Sequence, residues 1–351
     1  MSRRIAILAV TLLPAILPLG LTAAPQPVNS DAVTGARAVL EYLYSVRDSG
    51  HTLAGQHVYP ATDYSELEHV RKLTGDYPAV AEFDLLGFHA NPARKRLFFE
   101  RIRRHAARGG LIGISWHETS PALATLDEGG YAHGTKMRMG QEDFEKVLTP
   151  GTELHRRWLE HLDLAAGWLK ELRDDGIVVL WRPYHEMTGP WFWWGAKEPG
   201  SFRRLWTTMY DRFTNHHGLN NLLWVWSAAQ AGDDFTAYCP LGHVDIGGVD
   251  IYQRQRTAPA FVELCRKADR ASGDKPVALT EVGLLPEPET FVEETDCVWF
   301  VLWGRGFLDQ EHYRPPGDKE GNDPKNVQAF YAHPAVLTLG EMRQQREKAT
   351  D

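Results

Sequence analysis

Ile177-Val178-Val179-Leu180-Trp181-Arg182-Pro183-Tyr184-His185-Glu186 runs from four consecutive aliphatic side chains into a polar, aromatic tail. An unbroken apolar run between turn signals is what a strand buried on both faces of a parallel sheet looks like. The helical pattern 151–174 precedes it, closed by Asp175-Gly176, and a second pattern, 202–216, follows. Outward from this stretch the same alternation repeats. Strands are expected at 52–57, 78–84, 111–116, 177–184, 222–227, 246–252, 276–281 and 298–303, with further helical patterns such as 93–108 and 260–271. In the first of these, Leu97, Phe98, Ile102 and His105 share one side, while Arg101, Arg103, Arg104 and Arg108 can face water. Gly109-Gly110 then stops the helix and feeds the next strand. Eight alternations within one domain predict an α/β fold, a single (β/α)8 TIM barrel. No G-x-G-x-x-G turn follows the first strand, which argues against an open dinucleotide-binding sheet.

Nearly every expected strand finishes in polar or aromatic residues: Gln56-His57, Asp84, Trp116-His117-Glu118, His185-Glu186, Gln230, Asp250 with Tyr252, Glu281 and Trp303. In a barrel these ends converge on one face, where active sites are built. Glu186 follows the fourth strand and Glu281 ends the seventh, so the two carboxyls would face each other across the mouth. Glycoside hydrolysis needs such a pair, one holding a proton for the leaving oxygen and the other ionised. Arg182, His185 and Tyr252 are placed to keep the ionised member low in pKa, while charge repulsion raises its partner. A lone glutamate at a strand end is ordinarily a salt-bridge or loop residue; two at barrel spacing change that balance. Twelve tryptophans add a second signal, because sugar C–H faces stack on aromatic rings. Any single one is more ordinarily a core residue.

The run from Trp181 through Glu186-Met187-Thr188-Gly189-Pro190-Trp191-Phe192-Trp193-Trp194-Gly195 closely resembles the acid/base motif of family 26 of the glycoside hydrolases, mostly β-mannanases. Ala54-Gly55-Gln56-His57, Tyr77-Pro78-Ala79-Val80 with Asp84, Ser115-Trp116-His117, Asp250-Ile251-Tyr252 and Thr280-Glu281-Val282-Gly283 resemble that family's motifs on other strands. The resemblance implies a retaining mechanism with Glu186 as acid/base and Glu281 as nucleophile. It implies that His117 and His185 line the subsite of the attacked sugar, that Tyr252 bonds the nucleophile, and that Trp191 and Trp303 stack on sugars. Trp116 and Arg182 complete the expected substrate-binding set. Glu118-Thr119-Ser120-Pro121 departs from the family pattern, which often carries Asn before the Pro, and Glu118 is expected to add an acidic group near the site. The main activity implied is cleavage of internal β-1,4 bonds of mannan, glucomannan or galactomannan; β-glucan and β-1,3-xylan are the alternatives.

Other classes fit less well. His185-Glu186 and His117-Glu118 suggest a zinc protease, but Gly189 and Pro121 stand where a second histidine ligand is required. Ser227 has no G-x-S-x-G elbow around it. A non-catalytic glycan-binding protein should lack one carboxylate, and both are present. No cofactor or metal is implied, because two carboxylates supply acid, base and nucleophile. The net charge of −8 leaves no basic footprint for nucleic acid. Cys239, Cys265 and Cys297 can close at most one disulfide and match no zinc spacing. At the N-terminus, Arg3-Arg4, an apolar stretch to Leu21 and Thr22-Ala23-Ala24 have the layout of a secretory signal peptide cleaved near Ala23-Ala24. The expected organisation is a leader over residues 1–28 and a catalytic domain over 29–351. The expected product is a secreted or periplasmic monomer, with no membrane association after cleavage and a polysaccharide as its partner.

Overall fold

The computed structural model describes residues 24–59, 65–88, 92–126, 128–232, 234–252, 258–308 and 321–350. The signal-peptide stretch before residue 24 lies outside the described residues. Eight parallel strands form the barrel: β1 (Gly55–Val58), β2 (Val80–Asp84), β3 (Leu111–Trp116), β4 (Val179–Pro183), β5 (Leu222–Trp224), β6 (Gly247–Ile251), β7 (Val277–Val282) and β8 (Cys297–Leu302). Their hydrogen-bonded order is β5-β4-β3-β2-β1-β8-β7-β6. The ring closes where Val225 bridges Ile246 and where Ala228–Ala229 pairs with β6. All eight expected strands form, and the TIM barrel is the fold.

Three departures have local causes. The first strand is split into Thr52–Leu53 and β1. Gly55 presses on β8 so closely that a Cβ would stand 2.2 Å from the Phe300 carbonyl oxygen, and only glycine fits there. The fifth strand breaks after Trp224, whose N–H donates to the Asp245 carboxylate at 2.8 Å instead of continuing a ladder. The carbonyl of Ser227, just beyond, accepts from Glu186 N at 2.8 Å. The expected helix 202–216 begins earlier, at Pro199, where proline suits the first turn, and its end is wound as a π-helix over Arg212–His216.

The core has two layers. Helix Thr34–Asp48 buries Ala36, Val39, Leu40, Leu43 and Val46 against strand starts such as Leu53, Val80, Leu111, Leu180, Leu223 and Val298. That plugs the N-terminal face of the barrel. The larger cluster lies between the strands and the outer helices, for example Ile114, Trp181 and Trp224 against Trp158, Leu169 and Phe213. Both layers leave the C-terminal face to the polar strand ends. Among the described residues, no helix is long and apolar enough to cross a membrane.

Candidate active site

Four carboxyl groups gather around one guanidinium at the C-terminal face. Arg182, on β4 and 2% exposed, donates from Nε to Glu82 Oε1 at 3.1 Å and from Nη1 to Asp250 Oδ2 at 3.0 Å. Its Nη2 donates to Glu281 Oε1 at 2.5 Å. Glu82 comes from the middle of β2, where Gly113 on β3 makes room: a Cβ there would meet the Glu82 side chain at 3.2 Å. Thr280 and Glu281 are consecutive on β7, yet both send oxygens inward. Thr280 Oγ1 donates to Asp250 Oδ1 at 2.6 Å while Glu281 receives Arg182. A register irregularity between β6 and β7 at this point permits it, since a regular strand would turn one of them outward. Tyr252 OH donates to the other Glu281 oxygen at 2.5 Å.

Glu186 sits past the end of β4 with φ 57°, and Tyr184 has φ 46°. Left-handed backbone at two non-glycine residues costs on the order of 1–3 kcal/mol each and needs support. Trp194 Nε1 donates to His185 O at 2.8 Å, and Tyr184 OH donates to Glu118 Oε2 while accepting from Trp158 Nε1, both at 2.7 Å. The tight turn brings a Glu186 oxygen within 4.8 Å of one on Glu281. Trp191 Nε1 donates to Glu186 Oε2 at 2.5 Å.

The two carboxyls differ in their partners. Burial, then the charges of Glu281 and Asp250, push Glu186 well above the usual carboxylate range. Burial raises Glu281 too, against the pull of Arg182. Both Glu281 oxygens, however, face donors, Arg182 and Tyr252, whereas Glu186 has, among the described residues, the single donor Trp191. Glu186 is therefore the carboxyl that holds a proton more readily, and Glu281 the one better supplied with donors for a negative charge. Carboxyls about 5–5.5 Å apart suit attack by the ionised member, whereas about 6.5–9.5 Å would leave room for a water between. Here one oxygen of each carboxyl lies within 4.8 Å of one on the other, a close approach of the two groups.

The remaining expected residues divide. His117 is at the mouth, its Nδ1 2.6 Å from Asp84 Oδ2 and its Nε2 3.1 Å from His185 Nε2. Trp191 and Trp303 are partly exposed at the rim, and Trp303 stacks on His57 at 3.7 Å. Arg182 is buried, and its fork is taken up by three carboxylates. His185 is fully buried and meets His117 and Glu281 (Nε2 to Oε1 3.6 Å) rather than open cleft. Trp116 is also misplaced by the sequence reading, because its ring is 2% exposed and packs on Trp181 and Tyr184 in the outer core. Glu118 adds no acid to the cleft; it is 0% exposed and its carboxylate meets His161 Nδ1 at 2.9 Å as well as Tyr184. Strand periodicity puts successive side chains on opposite faces, and that placed Trp116 and Glu118 behind the wall while His117 faces the mouth.

Two features escaped the sequence reading. Glu82 is a charged residue inside an apolar strand, which was a readable sign of a buried partner. Tyr131, in the short π-helix Gly130–Thr135, is 41% exposed and sets its ring against His117 at 5.2 Å and Phe192 at 6.2 Å. Nothing periodic marks it. Among the described residues, two groups of side chains have metal-ligand spacing, Glu186-Asp250-Glu281 and Asp163-His216-His217. In each, an arginine already takes the cation's place: Arg182 in the first, and Arg212 on both Asp163 oxygens (2.6 and 2.7 Å) in the second.

Removing the guanidinium isolates three buried acids. We expect Arg182→Met to cost about 3–5 kcal/mol in urea denaturation, and a loss under about 1 kcal/mol would contradict the pairing described.

An eight-stranded barrel with paired carboxyls and an aromatic rim at its C-terminal face is the architecture of the barrel glycoside hydrolases. The chain belongs to glycosyl hydrolase family 26, whose sequence pattern it matches over residues 28–341. It is 34% identical over 327 residues to a mannan endo-1,4-beta-mannosidase of Thermothelomyces thermophilus, covering 90% of this chain and 63% of that protein. Against a mannan endo-1,4-beta-mannosidase A of a Piromyces species it is 29% identical and spans 50% of that protein's length. Among solved structures, GH26A from a Muricauda species superposes with a TM-score of 0.76 at 29% identity, covering 89% of this chain and 99% of that one.

Proposed function

We propose that this chain is a retaining endo-β-1,4-mannanase. The observation that carries the reading is the approach of the Glu186 and Glu281 carboxyls within a family whose similar members are named as mannan endo-1,4-beta-mannosidases. Glu186 donates its proton to the glycosidic oxygen as Glu281 attacks the sugar carbon from the opposite side. The resulting glycosyl-enzyme is released when Glu186, now a base, takes a proton from the incoming water. Tyr252 and Arg182 orient the nucleophile. Trp303, backed by His57 on one face, offers the other to a sugar, and Trp191, besides holding Glu186, flanks the leaving side. Tyr131 borders the cleft above His117. Export through residues 1–28, a catalytic domain over 29–351 and action as a monomer on β-mannan-type polysaccharide complete the proposal.

The purified protein should release short manno-oligosaccharides from mannan and galactomannan. Lichenan and β-1,3-xylan should yield little product in the same assay. A folded protein that leaves all of them intact would overturn the reading.

A further inference from the structure

Asp84, at the end of β2, has a position the reaction above does not use. Its Oδ1 accepts Leu86 N at 2.7 Å, and its Oδ2 accepts Ser115 Oγ and faces His117 Nδ1, both at 2.6 Å. Leu86 N and Ser115 Oγ both donate to it and favour its ionised form. An ionised carboxylate only accepts, so the His117 Nδ1 carries a proton. At the other end of the ring, His117 Nε2 and His185 Nε2 lie 3.1 Å apart, and a hydrogen bond between two ring nitrogens holds one proton.

Where that proton sits follows from what is left unpaired. Buried in the wall beside Arg182, His185 is kept neutral, its pKa lowered by burial and then by Arg182. Its Nδ1 is buried and without a partner. With the His185 proton on Nδ1, a buried N–H would be orphaned and the Nε2 lone pair would face the Glu281 carboxylate, 3.6 Å away. With the proton on Nε2, the N–H points between His117 Nε2 and Glu281 Oε1, and only an acceptor is left unpaired. An unpaired carbonyl-like acceptor is more readily tolerated than an orphaned N–H.

We propose that Asp84 is a positioning residue for this enzyme: by holding the Nδ1 proton of His117 it makes His117 Nε2 an acceptor, which fixes the proton of His185 on Nε2, facing the nucleophile. The line Asp84–His117–His185–Glu281 thus carries a tautomer choice from β2 to β7. The groups facing Glu281 are Arg182 from β4, Glu82 from β2, Asp250 and Tyr252 from β6 and its end, and Glu186, His185 and His117 from the loops after β4 and β3. His57 on β1 completes the ring; burial lowers it to about 3, so it adds no charge. With His185 N–H turned toward it, Glu281 stays ionised to lower pH. The role assigned to Glu281 rests on the proposed mechanism, whereas the tautomers do not.

Asp84→Asn tests the relay. The amide oxygen is drawn to Leu86 N, an obligate donor, so the NH2 group faces His117 and takes the place of the acceptor. His117 then carries its proton on Nε2, and His185 must move its own to Nδ1. Nitrogen-15 NMR of the histidine rings should find Nδ1–H on His117 and Nε2–H on His185 in the native protein, and the reverse in the variant. On mannan, kcat should fall about 10–100-fold with KM nearly unchanged. The acid limb of the rate profile should move up by about one pH unit, a readout that loss of packing alone would not shift. A native spectrum with His185 protonated on Nδ1, or an unmoved acid limb in Asp84→Asn, would overturn the proposal. Should the variant not fold, the native spectrum alone decides. Absence of any glycan hydrolysis by the native protein would count against the mannanase reading and leave the tautomer test standing.

Discussion

Glu281→Ala should lower turnover of mannan by about 10⁴-fold or more, because among the described residues no other carboxylate of the cleft is free to form the covalent intermediate. The two nearest candidates are held away from that task. Asp250 is tied down by Arg182, Ser227 Oγ (2.7 Å) and Thr280 (2.6 Å), and Glu82 lies beneath Arg182. The fold should survive, since deleting one of four crowded carboxyls around a single guanidinium relieves repulsion rather than creating it. Thermal unfolding of the variant should therefore occur at or above the native temperature. Azide, a small anion that fits the vacated space, should restore cleavage of an activated aryl mannoside and yield the glycosyl azide of inverted configuration. Retention of a tenth of the native activity would assign the attack to another residue.

Glu186→Ala separates substrates by leaving group. A mannan chain leaves as a poor alkoxide and depends on protonation, so its cleavage should fall about 10³–10⁴-fold. An aryl mannoside with an acidic phenol needs no such help in the first step, and that step should be nearly unchanged while the glycosyl-enzyme accumulates. The pH profile carries the same assignment. Glu186 is raised by burial and by the Glu281 charge, so it is protonated at low pH and activity is lost as pH rises through its pKa. The alkaline limb should vanish in Glu186→Ala, leaving the acid limb, which reports Glu281. An equal loss on both substrates would make Glu186 a structural residue.

The barrel was legible because each strand is an apolar run closed by a turn signal, and burial on both faces leaves such runs little room for other residues. The chemistry at strand ends was legible for the same reason: polar residues that follow such runs have one face to occupy. What could not be read was orientation beyond a strand's last ladder pair. Trp116-His117-Glu118 was one polar-aromatic tail in the sequence, and the alternation of the strand put only its middle member in the cleft. Arg182 was expected beside Glu281 and at the substrate; it lies beside Glu281, and three acids from β2, β6 and β7 converge on it, a meeting that sequence distance hides. Irregular segments were the least readable. The left-handed Tyr184 and Glu186, the bulge that lets Thr280 and Glu281 both face inward, and the π-helix carrying Tyr131 are set by tertiary contacts rather than local preference.

The stereochemistry of the first product tests the central claim most directly. Proton NMR of a manno-oligosaccharide digest, followed before mutarotation equilibrates the anomers, should show the β-anomer of the new reducing end appearing first. A first-formed α-anomer would mean direct attack by water, and would contradict the pairing of Glu186 with Glu281 as acid and nucleophile.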